Sequence, residues 1–179
     1  MKRVEGFRGV VLVGFMGSGK SSVGRKLGRR FGVPFVDVDE RIESAAGCRI
    51  RDLFGREGES AFRAREKAAL RDALSVKGCV IATGGGAFAD EENRVLLRSY
   101  APVVYLEAAV ETLLERLAGD LGRPLLRGGD REDVVRELLS RREPGYRTAD
   151  VTVRTDGRTV EDVAGQVADW IDRMEGRAG

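Results

Sequence analysis

Histidine is missing altogether from the 179 residues. Its absence excludes a Ser–His nucleophile pair, histidine-rich zinc sites and imidazole acid–base catalysis. An enzyme built from this chain takes its base from a carboxylate, or its chemistry needs little base help. Cysteine is scarce: Cys48 and Cys79 are the only two, and they lack CxxC spacing. Two reduced thiols are expected. No apolar run approaches the roughly 20 residues of a membrane-spanning helix. An excess of one charge is lacking too, since 31 basic and 29 acidic side chains leave a net +2. That balance gives no reason to expect a nucleic-acid partner. The opening MKRVEGFRGVVLVGF runs into a glycine loop rather than a cleavage site, so its apolar part reads as a first strand and not a signal peptide. A cytoplasmic, monomeric protein with no membrane partner is expected. Repeats, low-complexity tracts and linkers are also absent, and the length suits one domain over residues 1–179.

What is present is an alternation. Val10 to Val13 reads as a strand, and Val23, Leu27 and Phe31 then recur at helical spacing. Pro34 to Asp39 reads as a second strand. Arg41 to Phe54 reads as a helix broken near Gly47, and Glu59 to Leu74 as a longer helix. CVIATGGG is a strand ending in glycines, Asp90 to Arg98 a helix, and PVVYLEA a strand. Val110 to Leu117 and Asp133 to Arg142 are helical, VTVRT is a last strand, and Val160 to Met174 a last helix with Thr159 and Asp162 as a capping box. Nearly all-apolar strands separated by helices predict a parallel sheet covered on both faces. Ligands in such sheets bind beyond the carboxyl ends of the strands. Three glycine- or aspartate-bearing segments fall there.

The first is GFMGSGKSS, Gly14 to Ser22. Gly14, Gly19, Lys20 and Ser21 fit G-x-x-x-x-G-K-[ST] between an apolar strand and an amphipathic helix. Glycines let successive backbone N–H groups converge on phosphate oxygens, and the helix N-terminus adds its positive dipole end. Lys20 can reach the outer phosphates, and the Ser21 hydroxyl can ligate Mg²⁺. The second is Asp37 with Asp39, two apart at a strand end and so expected on one face. Asp37 could support Mg²⁺ through water and Asp39 could accept a hydrogen bond or proton from an acceptor hydroxyl. The same pair would equally suit a helix N-cap or a solvated strand end. The third is TGGG, Thr83 to Gly86, which permits close approach of backbone to ligand or simply a tight turn. Further on, Arg123 and Arg127 lie among glycines between Ala118 and Asp130. This stretch could be a mobile lid that brings an arginine to a transferring phosphoryl group, or a surface loop.

Together these features resemble the shikimate kinase family. GFMGSGKSSVG is similar to its phosphate loop, Asp37 and Asp39 to its D-x-D, and GESAFRAREK with Arg63 to its F-R-x-x-E segment. TGGGA is similar to its glycine triplet, GRPLL to its lid, and RREPGYR to its R-x-P-x-Y segment, all in the family's order. The resemblance implies a P-loop three-layer α/β fold with a five-stranded parallel sheet, helices on both faces and a mobile lid at about 118–130. It implies transfer of the γ-phosphoryl of ATP to the 3-hydroxyl of shikimate, with Mg²⁺, on the route to aromatic amino acids. By matching position, Lys20, Asp39 and Arg123 would be catalytic. Gly17, Ser18, Gly19, Lys20, Ser21, Ser22, Arg116, Arg123 and Arg158 would bind ATP. Asp39, Arg63, Gly84, Gly85, Gly86 and Arg142 would hold shikimate, and Ser21 and Asp37 would serve the metal. Ser22 stands where the family usually has Thr, and Val160 near where many members have a proline. The alternatives are a kinase of gluconate or nucleoside monophosphates, and a catalytically silent nucleotide-binding relative.

Overall fold

In the computed structural model, residues 6–118 and 130–176 are described. Five strands form one sheet: β1 (Val10–Val13), β2 (Phe35–Asp37), β3 (Val80–Ala82), β4 (Val103–Glu107) and β5 (Val151–Arg154). Their order is β2-β3-β1-β4-β5, and every pairing is parallel. The expected five-stranded parallel sheet is what forms.

The reason is visible in β1. Its four residues, Val-Val-Leu-Val, are all buried, and successive side chains point to opposite faces. Val11 and Val13 join Ile81, Val103 and Tyr105 in one core, under helices carrying Leu53, Phe62, Leu70, Leu97 and Leu113. Val10 and Leu12 join Val80, Val104 and Leu106 in the other, under Val23, Leu27 and Phe31 of α1 (Lys20–Phe31) and Val163, Val167 and Ile171 of α7 (Val160–Met174). An apolar strand with two buried faces needs a helix layer on each. The predicted capping box at the start of α7 is formed by Thr159 and Asp162.

Three boundaries differ from the sequence expectation. The second strand stops at Asp37, and α2 (Val38–Ala46) starts at once. Asp37 and Asp39 therefore do not share a strand face. Asp37 is the N-cap, its Oδ1 accepting from the Asp39 N–H at 3.0 Å and the Glu40 N–H at 3.4 Å. A short carboxylate at this point satisfies helix donors that would otherwise be orphaned. The break expected near Gly47 is there, at φ 64°, and ends α2. Beyond it α3 (Ile50–Ser75) runs through what was expected to be a gap, interrupted only at Gly58, which has φ 81° and ψ 174°. The helix predicted over 133–142 is longer: α6 (Arg131–Tyr146) is capped by Asp130 and continues past Pro144. Among the described residues the remaining helices are α4 (Glu91–Tyr100) and α5 (Val110–Leu117), and a short 3-10 turn covers Ala87–Ala89.

Adjacency of β1 and β3 sets the loop after β1 beside the glycine triplet after β3. Residues 119–129, which hold the GRPLL segment and Arg123, lie outside the described residues.

The first turn of that β1 loop is tight. Gly14 has φ 143°, and a Cβ there would stand 2.5 Å from the Leu106 carbonyl oxygen on β4 and 2.9 Å from Ser18 Oγ. Gly14→Ala should therefore lower stability by about 1–3 kcal/mol, read as a fall in the thermal unfolding midpoint. An unchanged midpoint would show that the strand and loop have room to separate.

Candidate functional site

The loop from Gly14 to Ser18 leads into α1 with Gly19 as N-cap in the left-handed region, φ 96°. Gly19 has no side chain with which to cap this helix, and no acidic residue stands in its first turn. Its leading N–H groups are thus left facing outward, with the positive dipole end behind them, an arrangement that attracts anions. Lys20 folds over the loop, its Nζ donating to the Gly14 and Phe15 carbonyls, both at 2.9 Å. Ser21 Oγ donates to Asp37 Oδ2 at 2.5 Å. Asp37 thus uses one carboxylate oxygen to cap α2 and turns the other to α1.

A cleft of about 530 Å³ opens over this loop. Gly17, Ser18, Gly19, Lys20, Ser21, Ser22, Asp37, Arg116 and Arg158 all line it. Arg116 also ties the cleft together: its guanidinium donates to the Gly17 carbonyl at 3.3 Å, Thr155 Oγ1 at 3.0 Å and the Thr155 carbonyl at 2.9 Å. Arg158 donates to Gln166 on α7.

A second, smaller cavity adjoins the first. Arg63, Gly84, Gly86 and Arg142 line it, and Asp39, Gly85 and Met16 border both. Its apolar wall is Ile50, Phe54 and Phe62. Arg63 donates to Glu66 Oε2 at 2.8 Å and to Glu59 Oε1 at 3.0 Å. Glu66 is only 1% exposed. Burial pushes its carboxyl above the usual glutamate range, against the pull of Arg63 and Arg142. Burial works to lower the Arg63 guanidinium, but Glu66 and Glu59 outweigh it and the net shift is upward. Arg142 is 7% exposed, lies over the Phe15 ring at 5.6 Å, and its Nη1 has no hydrogen-bond partner among the described residues. A buried guanidinium with a spare donor calls for an anion.

Sequence reasoning placed the described site residues around these two joined cavities, and the structure brings them together there. Arg123 is outside the described residues. Glu66 and the apolar wall carried no assigned role in the sequence, although Phe62 and Glu66 are the first and last residues of its F-R-x-x-E segment. Glu66 had a signal, since it follows Arg63 by three residues on one helix and such pairs are neighbours. Ile50 and Phe54 had none, because they look like ordinary core.

A shikimate kinase family model matches residues 16–172 of the chain. The chain belongs to the shikimate kinase family. The shikimate kinase of Geobacter sulfurreducens is 46% identical over 164 residues, 92% of this chain and 91% of that protein. The solved structure of the shikimate kinase from Acinetobacter baumannii in complex with shikimate superposes with a TM-score of 0.92 at 39% identity, covering 98% of this chain and 97% of that one. A gluconokinase from Sinorhizobium meliloti shares the fold, with a TM-score of 0.62 at 21% identity over 98% of this chain and 96% of that one. Family membership makes the chain an ATP-dependent kinase with the P-loop α/β architecture expected from its sequence.

In this shikimate kinase family member, Glu66 ionises at a cost to folding. Its folded pKa is raised, so the stability it contributes is complete below the unfolded value of about 4.3 and falls as pH rises through the folded value. Glu66→Gln keeps the shape of the protonated acid. It should melt above the wild type at neutral pH, with the gap closing toward pH 4. A variant that is less stable at neutral pH would show that the Arg63 ion pair outweighs the burial.

Proposed function

We propose that this chain transfers the γ-phosphoryl group of ATP to the 3-hydroxyl of shikimate, giving shikimate 3-phosphate and ADP. The observation that carries the proposal is the cavity beside the phosphate loop. It gathers two guanidiniums, one with a buried donor unpartnered among the described residues, beside the Asp39 carboxylate and a glycine backbone. That set suits a compact acid bearing hydroxyls. Arg63 and Arg142 would grip the carboxylate, since a planar guanidinium matches it with paired hydrogen bonds. Asp39 would orient the hydroxyl, and the apolar wall would cover the ring.

In the reaction the acceptor oxygen forms a bond to the γ-phosphorus while the bond from that phosphorus to the bridging oxygen of ADP breaks. The hydroxyl proton passes to the Asp39 carboxylate and on to solvent. Such transfer depends on positioning and charge stabilisation, which explains how a chain without histidine can perform it. Lys20 would leave its two carbonyl partners for the outer phosphates. The α1 N–H groups, with Ser18 and Ser22, would hold the phosphate chain, and Arg116 and Arg158 would flank the adenine end. Arg123 would meet the phosphates from its own segment.

Ser21 and Asp37 fit Mg²⁺. They are hard oxygen donors already in contact at the cleft, and Mg²⁺ favours one or two such protein ligands with phosphate and water oxygens as the rest. The ion would neutralise charge on the outer phosphates. No helix among the described residues is long and apolar enough to cross a membrane. We take the enzyme as a cytoplasmic monomer of one domain acting on small molecules, and its balanced charge gives no reason to expect a nucleic-acid partner.

A coupled ADP assay with ATP, Mg²⁺ and candidate acceptors tests the substrate. Turnover with gluconate or AMP but not with shikimate would overturn it. Asp39→Asn should cut turnover by orders of magnitude while ATP still binds; unchanged kinetics would remove Asp39 from the acceptor site. Arg63→Ala should raise the KM for shikimate by roughly 10- to 150-fold, the equivalent of a charge-assisted hydrogen bond worth about 1.5–3 kcal/mol. An effect on ATP alone would reassign it to the nucleotide.

A further inference from the structure

Every carbonyl oxygen from Gly84 to Ala89 has a partner. Within the segment, Gly84 O accepts from the Ala87 N–H and Gly86 O from the Ala89 N–H, each at 3.1 Å. Ala87 O accepts from Asn93 Nδ2 at 3.1 Å. Phe88 O and Ala89 O accept from one Arg94 nitrogen at 3.2 and 2.9 Å. Gly85 O accepts from the Tyr146 hydroxyl.

This last bond differs from the others in where it acts. Gly85 borders both cavities, while Tyr146 lines neither. A peptide unit is planar and trans, so a carbonyl held on one side turns the following N–H to the other. Fixing Gly85 O therefore fixes the direction of the Gly86 N–H, in a residue that lines the acceptor cavity. Tyr146 is itself held hard. It is completely buried and its ring stacks on Tyr105 with centroids 5.1 Å apart. It follows Gly145, where a Cβ would come within 3.0 Å of Phe88 O, so α6 lies directly against this segment. It also follows Arg142 by four residues, one helical turn, on the same face. Burial pushes its hydroxyl up to about 12, which keeps the proton on at working pH.

We infer that Tyr146 is a positioning residue for the acceptor. Its hydroxyl holds the Gly85–Gly86 peptide in register with Arg142, so that the backbone and the guanidinium meet the acceptor as one unit. The inference rests on the proposed shikimate reading.

The test is Tyr146→Phe, with Arg94→Met beside it, assayed for shikimate and ATP kinetics and for thermal midpoint. Y146F should raise the KM for shikimate roughly five- to tenfold, the worth of one hydrogen bond, with the KM for ATP within about twofold of wild type. R94M removes two carbonyl bonds at the far end of the same turn. It should lower the midpoint and leave the shikimate KM in place. A flat shikimate KM in Y146F, a parallel rise in the ATP KM, or the same shift in R94M would each overturn the inference. A wild type that does not phosphorylate shikimate would sink the functional reading instead. Should Y146F fail to fold, 3,5-difluorotyrosine at position 146 keeps the ring and the donor but ionises at lower pH. Its shikimate KM, divided by that of wild type, should then climb with pH, and a ratio independent of pH would overturn the inference.

Discussion

The site depends on one close approach. A Cβ on Gly84 would stand 2.7 Å from both Asp39 Oδ1 and Glu66 Oε1, and one on Gly86 would stand 2.7 Å from Arg63 Nη1. Those distances are inside van der Waals contact. Three charged side chains from α2 and α3 therefore reach the backbone after β3 only because it carries no side chains of its own. Any other residue at these two positions would push the carboxylates and the guanidinium outward and open the cavity they line.

The charges gathered there are kept at a cost. Taking ions out of water costs several kcal/mol each unless partners compensate. Arg63 is compensated by Glu66 and Glu59, and Glu66 in turn by Arg63. Arg142 is left with a spare donor among the described residues. A fold selected for stability alone would fill that position with an apolar side chain. An anion-binding cavity would keep the guanidinium, because the missing partner is the ligand. The same logic explains how a chain with no imidazole can run phosphoryl transfer. Its means are fixed positive charge, oriented N–H groups and one carboxylate near the acceptor.

Neighbouring parts are joined by shared side chains. Asp37 caps α2 with one oxygen and receives Ser21 with the other, so the start of one helix and the proposed metal ligands are a single arrangement. Arg116 connects the phosphate loop with the end of β5. Met16 and Gly85 border both cavities, so the proposed nucleotide and acceptor sites share a wall.

The sequence by itself determined the layers, because short continuous apolar strands and period-3.6 helices can be read from local spacing. It also determined the phosphate loop, whose glycines, lysine and serine are contiguous. The parts of the proposed acceptor cavity were legible one at a time in Asp39, Arg63, the glycine triplet and Arg142. The true end of β2 was not, because an aspartate suits a strand end and a helix N-cap alike, and only the packing of α2 chose between them. The burial of Glu66, the assembly of the Ile50–Phe54–Phe62 wall and the bond from Tyr146 to Gly85 were decided by the tertiary structure. Burial, pKa shift and the pairing of residues 61 apart arise from how helices cross a sheet, and no local pattern records that.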